Sequence, residues 1–371
     1  MRMGEPLDPR VPWVRVLHDL DEARAIGTAC PKLRALRRVA ERLGDTLRDG
    51  PRVVSVRTIP IGTAIYPTKY GFRGAVPLPV PYIVLTHRCL LVQVLADGEL
   101  KNVLFNPTDY ELAKETPFFK KLIARYGERA SKIIGKHFGT VEEQLGALGI
   151  ATGDIDLVAF DHFHIQDLRN LFARFPNAHL LAPRVEWDDW DDLHPLQRAF
   201  FIEDGKRGVP EGRVVLFDAD LRIGDGCVLL RTPGHTTGNQ TLFAHAESGV
   251  FGCSENGVSA DNWSPYESRI PGLRGHAQHH EIEVVMNLNT PDCGTDQYTS
   301  MIVERAIVDR VPDAPAFVQM FPSSETTPSA LAPGIRPSMV FGERKSGTLQ
   351  TARAATRRSA ASATVSAGSA S

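Results

Sequence analysis

The chain has 371 residues, of which 42% are hydrophobic, 23% charged and 8% aromatic, and its formal charge is −2. This is the composition of a globular protein with a large core, and so balanced a charge excludes nucleic acid or an anionic membrane as the expected partner. No apolar run approaches the roughly 18–20 residues of a membrane span.

The opening, MRMGEPLDPRVPWVRVLHDLDE, has no uninterrupted apolar stretch of the kind a secretory leader carries. Cys30, Cys89, Cys227, Cys253 and Cys293 are odd in number, scattered and without a C-x-x-C pair, which suits a reducing cytoplasm. Residues 15–49 read as helix, with Leu33, Leu36, Ala40, Leu43 and Leu47 at three- and four-residue steps. Pro31 marks a boundary there. The expectation is an N-terminal helical extension over 1–50 that packs as an appendage.

From residue 51 the chain turns to short β-rich runs parted by Gly and Pro: 53–62, 82–95 and 101–107. A helical stretch follows at 110–148, then the apolar strand LVAF at 157–160 and another at 178–183. Three or four more strands fall between 213 and 253, a helix at 296–310 and a last strand at 316–321. Strands first, then helices alternating with strands, predict a layered α/β domain over 51–342. Residues 343–371, rich in Ser, Ala, Thr and Arg, are expected to be a disordered tail.

The chemistry concentrates in DHFHIQDL, 161–168, directly after LVAF. His162 and His164 stand at i, i+2, where both rings can face one centre. Seventy residues on, CVLLR runs into TPGHTTGN and sets His235 on a Gly-containing turn. Neutral imidazoles are common zinc ligands, and three of them with an open position form a catalytic site that brings the pKa of bound water toward neutrality. Taken singly, an H-x-H pair is more often packing than ligation, and TPGH is also an ordinary strand-to-turn corner. The order of the two motifs favours the metal.

HFHIQD after a strand resembles the H-x-H-x-D-H element of the metallo-β-lactamase superfamily, and RTPGHTTGN resembles its second metal motif. AHLLAPRVEWDDW is similar to the segment after the first motif in the lactonase and related hydrolase branches. The resemblance spans about 52–325. It implies a four-layer αββα sandwich with metal at one edge of the sheets, and hydrolysis by a metal-activated water.

The departures are specific. Gln166 and Asp167 stand where the family motif has Asp and His. Cys253, Ser254 and Glu255 fall where its bridging Asp belongs, and Ser324 and Glu325 where its final His belongs. The metal set expected from this pattern is His162, His164, Asp167 and His235, with Asp167 or Glu255 as general base or anchor. Zinc is the expected cofactor, as one or two ions, with iron or manganese as alternatives where carboxylates contribute.

The function implied is a metal-dependent hydrolase of a small ester, lactone or thioester-like substrate. The alternatives are an iron-dependent oxidoreductase or a non-catalytic descendant of the same fold. A small-molecule substrate is the expected partner, and a homodimer stays open. Further candidates are His276, His279 and His280, read as a loop over the cleft or as solvated. Trp263 and Tyr266 would wall a pocket or pack, Asp109 would orient, and Cys253 is the one cysteine beside the expected metal.

Overall fold

The computed structural model describes residues 1–127, 135–287 and 294–351. One sheet joins, in spatial order, Met3–Pro6, Val14–Leu17, Asp220–Ile223, Cys227–Arg231, Gln240–Ala246, Gly249–Ser254 and Met320–Pro322. The other runs Lys345–Gly347, Ser55–Pro67, Tyr82–Ala96, Glu99–Phe105, Leu157–Ala159, His179–Pro183 and Val214–Phe217. Ser324–Thr327 pairs with Tyr82–Ala96 beside this path.

Alternation along the strands assigns the layers. In Cys227–Arg231, Cys227 and Leu229 face a core shared with Val92, Val103 and Leu181 of the other sheet. Val228 and Leu230 face the opposite way, onto Leu36, Ala40, Leu43 and Leu47 of the helix Ala29–Asp49 and onto Met301 and Ile302 of Gly294–Ile307. The back of the second sheet (Leu91, Leu104, Val158, Leu180) is covered by Leu145, Leu171 and Trp190 from its own helical segments. Helix, sheet, sheet, helix: the chain is an αββα sandwich. Each wholly buried Leu in these layers contributes about 1.5–3 kcal/mol relative to exposure.

Two expected boundaries move. The first fifty residues are not an appendage: Val14–Leu17 pairs with Asp220–Ile223 inside the first sheet, Met3–Pro6 extends it, and the long helix starts only at Ala29. Pro31 lies in that helix's first turn, where backbone N–H groups have no intrahelical acceptor and proline loses nothing. The expected tail also begins late. Lys345–Gly347 pairs with Ser55–Arg57, and Arg344 lies over the Phe251 ring. Backbone pairing at a sheet edge does not require the large apolar side chains whose lack suggested disorder. The rest of that tail, 352–371, lies outside the described residues. Among the described residues no helix is long and apolar enough to cross a membrane.

Four strands of the second sheet, Glu99–Phe105, Leu157–Ala159, His179–Pro183 and Val214–Phe217, run parallel. Loops at the carboxyl ends of such strands are the usual place for a site. Near that edge the chain also crosses between sheets: Met320–Pro322 pairs with Gly249–Ser254 in one, Ser324–Thr327 with Tyr82–Ala96 in the other, and Ser323 is the step between them.

Candidate metal centre

His162, His164 and His235 come together. Each offers a ring nitrogen, the three atoms lie within 4.8 Å of one another, and all three residues are buried. Among the described residues this is the one group of three or more His, Cys, Asp or Glu so placed. The i, i+2 spacing works because Phe163 turns the other way, against Phe160 and Trp190 in the core behind the second sheet. His162 and His164 are left on the same side. His235 enters from the first sheet on its TPGH turn. Gly234 has φ +150°, and a Cβ there would stand 2.2 Å from the Cα of Gln297, so only glycine lets the turn reach the helix below.

Glu186, in the VEWDDW segment, locks the two motifs together. Its carboxylate accepts the Phe163 N–H at 3.0 Å with one oxygen and the Gly238 N–H at 2.9 Å with the other. Burial pushes its pKa up to about 7.

Hydrogen bonds fix which nitrogens carry protons. Asn287 donates its amide to the Glu255 carbonyl and accepts from Gln297 Nε2 at 2.6 Å. Its Oδ1 is therefore an acceptor, and His235 Nδ1–H must donate to it at 3.1 Å. His235 Nε2 then carries a lone pair. His164 Nε2–H donates to Gln197 Oε1 at 2.6 Å, which leaves a lone pair on His164 Nδ1. Those two lone-pair nitrogens lie 3.2 Å apart. His162, stacked on His235 at 4.3 Å between centroids, has both ring nitrogens buried with no hydrogen-bond partner.

All three rings are held neutral, which is the ligating form. Burial lowers His162 and His164 well below the usual histidine value, with mutual repulsion adding to it, and takes His235 to about 4. Buried polar atoms without partners are uncommon and costly. A cation at the centre would satisfy the facing lone pairs and a His162 nitrogen together, so the residues present fit a metal ion.

The other half of the cleft is built differently. Asp161 accepts from Ser323 Oγ, from Asn106 Nδ2 at 3.1 Å and from the His162 N–H at 2.9 Å. Glu255 accepts the Ser324 N–H at 2.8 Å. Burial raises Asp161 to about 6 and Glu255 well above the usual carboxylate value, with Asp161 adding to the latter. His87, which carried no signal in the sequence, bonds Ser324 Oγ at 2.9 Å and Thr108 Oγ1 at 2.8 Å.

Asp167, expected as a ligand and as a general base, is engaged elsewhere. Both its oxygens take the guanidinium of Arg169, one also takes the Arg169 N–H at 3.1 Å, and it stands outside the ligand group. An aspartate two residues before an arginine closes a local turn with it, a contact that competes with ligation. His276, His279 and His280 lie on or end the helix Leu273–His279 and touch one another, not the trio. Trp263 packs: it is buried and donates to Glu304 at 2.7 Å, whereas Tyr266 is exposed. Asp109 caps a short helix, accepting the Glu111 and Leu112 N–H groups. Burial pushes the Cys253 thiol up to about 12, so it stays protonated.

No protein-family model and no curated protein matches the chain. Among solved structures, a quorum-quenching N-acyl homoserine lactone lactonase is similar at 20% identity, covering 62% of this chain and 87% of its own, with a TM-score of 0.43. AidC, a dizinc quorum-quenching lactonase, is similar at 13% identity over 81% of this chain and 97% of its own, TM-score 0.46. AbOPH, a hydrolase in the β-lactamase superfamily, is similar at 13% over 81% of this chain and 98% of its own, TM-score 0.45.

Proposed function

We infer that this chain is a metal-dependent hydrolase of a small ester, lactone or thioester-like substrate, with one ion on His162, His164 and His235. The observation that carries the reading is His162, whose two ring nitrogens are buried without a hydrogen-bond partner beside the ring nitrogens of His164 and His235. A divalent ion there supplies Lewis acidity and a nucleophilic water near neutral pH. The chain's own residues do the rest. Gln197 and Asn287 set the tautomers of His164 and His235, and Glu186 fixes the spacing of the two loops. Glu255, a buried carboxyl anchored by the Ser324 N–H, would serve proton transfer. Three nitrogen donors suit zinc, and imidazole also suits iron.

The test is elemental analysis of the purified chain with an ester-hydrolysis assay, on wild type and on His162→Ala and His235→Ala. Metal and turnover lost together in both variants support the reading. Metal content that ignores both substitutions ends it. Metal bound by His162 and His235 with no turnover of any ester, lactone or thioester supports a metal-binding protein without hydrolase activity, the reading favoured by the hydrogen bonds that already engage Asp161 and Glu255.

A further inference from the structure

His87 stands in a file of hydrogen-bonding groups that the histidine trio does not use. Its Nδ1 meets Ser324 Oγ at 2.9 Å, and its Nε2 meets Thr108 Oγ1 at 2.8 Å. Ser324 in turn holds Glu255. Its N–H donates to the carboxylate at 2.8 Å, and its hydroxyl also bonds that carboxylate. Thr108, His87, Ser324 and Glu255 come from four parts of the chain. Antiparallel pairing of Ser324 with His87 sets the middle of the file. Thr108 is placed by the turn at Asn106, φ +63°, whose carbonyl takes the Thr108 N–H and whose side chain exchanges two hydrogen bonds with Asp161.

The outer end of the file reaches groups that exchange protons with solvent. Thr108 lines a small hollow of about 40 Å³ that is also lined by Asp109, Glu111 and His137. Glu111 and His137 are exposed and stand 3.9 Å apart.

A neutral imidazole has one N–H and one lone pair, so the file has two complete arrangements. With Glu255 ionised, the Ser324 O–H points to it, His87 Nδ1–H donates to Ser324, and the Thr108 O–H donates to Nε2. With Glu255 protonated, every bond reverses: Glu255 donates to Ser324, Ser324 to Nδ1, and Nε2–H to Thr108. Each donor has an acceptor in both, and the two differ by one proton. His87 is uncharged in either. Burial holds it so, lowering its pKa to about 4 with the Arg88 charge adding to the effect.

We propose that Thr108, His87 and Ser324 form a proton path that joins Glu255 to solvent. A proton arriving on Thr108 Oγ1 sends that hydroxyl's own proton to Nε2. The Nδ1 proton passes to Ser324 Oγ, and the Ser324 proton passes to Glu255. Four bonds to hydrogen form as four break, the first of those in the solvent donor, and one proton has moved. The path stands without the hydrolase reading; only its use, exchanging the proton that Glu255 handles in each turnover, rests on it.

The first test needs no substrate. The infrared carboxyl band of protonated Glu255, identified as the one missing in Glu255→Gln, is followed after mixing the metal-loaded protein into mildly acidic D2O. The second is the turnover of p-nitrophenyl acetate. Both are run on wild type, Thr108→Val and His87→Ala, with metal content and melting temperature followed. Free imidazole is added to each. His87 also lines a second hollow of about 100 Å³, through which imidazole can reach the gap left by its removal.

Wild type is expected to exchange its Glu255 proton within the mixing time. Both variants should exchange about tenfold slower or more, waiting on local opening of the fold. Their kcat should fall about tenfold or more, with KM, metal content and melting temperature kept. Imidazole should restore His87→Ala in both measurements and leave Thr108→Val slow, which a merely structural His87 would not show. Exchange that depends on Thr108 and His87, with no ester hydrolysed, keeps the path and removes the hydrolase reading. Ester hydrolysis with exchange and kcat alike in wild type and both variants keeps the hydrolase and overturns the path. So does a wild type without a Glu255 band, because Glu255 then never holds the proton. Loss of metal or of melting temperature in His87→Ala, with Thr108→Val silent throughout, overturns it too: His87 is then a strut for the crossover at Ser323.

Discussion

The two halves of the cleft solve opposite problems. Around His162, His164 and His235, ring nitrogens converge within 4.8 Å of one another, those of His162 without a hydrogen-bond partner, and burial keeps the rings from charging. Around Asp161, Glu255 and Ser324, each carboxylate meets an N–H or O–H of the protein. The first half therefore fits an ion, and the second already meets protein donors. The contrast teaches that metal ligands are recognised by what their hydrogen bonds leave unsatisfied. Residue type alone does not show it, since the second half holds the carboxyl groups.

The largest effect expected from this contrast is on the histidines. His162→Ala and His235→Ala should each reduce bound metal from about one equivalent to near none, read by elemental analysis. Stripping the wild type with chelator should lower its stability by about 4 kcal/mol where the free ion stands at about a thousand times its dissociation constant. The variants should melt alike with and without chelator. A wild type indifferent to chelator would break the comparison at its root.

Next comes Glu186→Ala, which leaves the Phe163 and Gly238 amides buried without acceptors. About 1–3 kcal/mol for each should be lost in urea unfolding, and Glu186→Gln, which keeps one acceptor oxygen, should lose less. Asn287→Ala frees the tautomer of His235, and metal affinity measured by competition with a chromophoric chelator should fall about 10–100-fold. Unchanged affinity would mean that the proton on His235 is set by something other than this amide.

Much of this was legible in the residues. The order of strands and helices gave a layered α/β domain, the resemblance carried by HFHIQD and RTPGHTTGN implied the αββα arrangement, and the same two motifs gave the trio His162, His164 and His235, because short-range motifs are local signals. The strands Met3–Pro6 and Val14–Leu17 were not legible: they are short, and the neighbour that makes Val14–Leu17 a strand, Asp220–Ile223, is about two hundred residues away. Glu186, Gln197 and Asn287 escaped for the same reason. Nothing in VEWDDW says that its glutamate reaches two amides on separate loops. His87 lies inside the strand Tyr82–Ala96 between Thr86 and Arg88, and its tie to Ser324 exists only through antiparallel pairing.

Asp167 gives the smallest expected effect and the sharpest control. By motif position it should be a ligand, and by contact it is the partner of Arg169, with its side chain wholly buried and the arginine 37% exposed. An ion pair with one member so exposed is worth about 1 kcal/mol or less. Asp167→Ala should therefore leave metal content and affinity at wild-type values and lower stability by about that much, with Arg169→Ala doing the same and the double substitution adding little. If Asp167→Ala instead releases metal while Arg169→Ala does not, the carboxylate leaves its arginine when the ion arrives. The second half would then be a working part of the centre, and the contrast between the two halves would hold only for the metal-free chain.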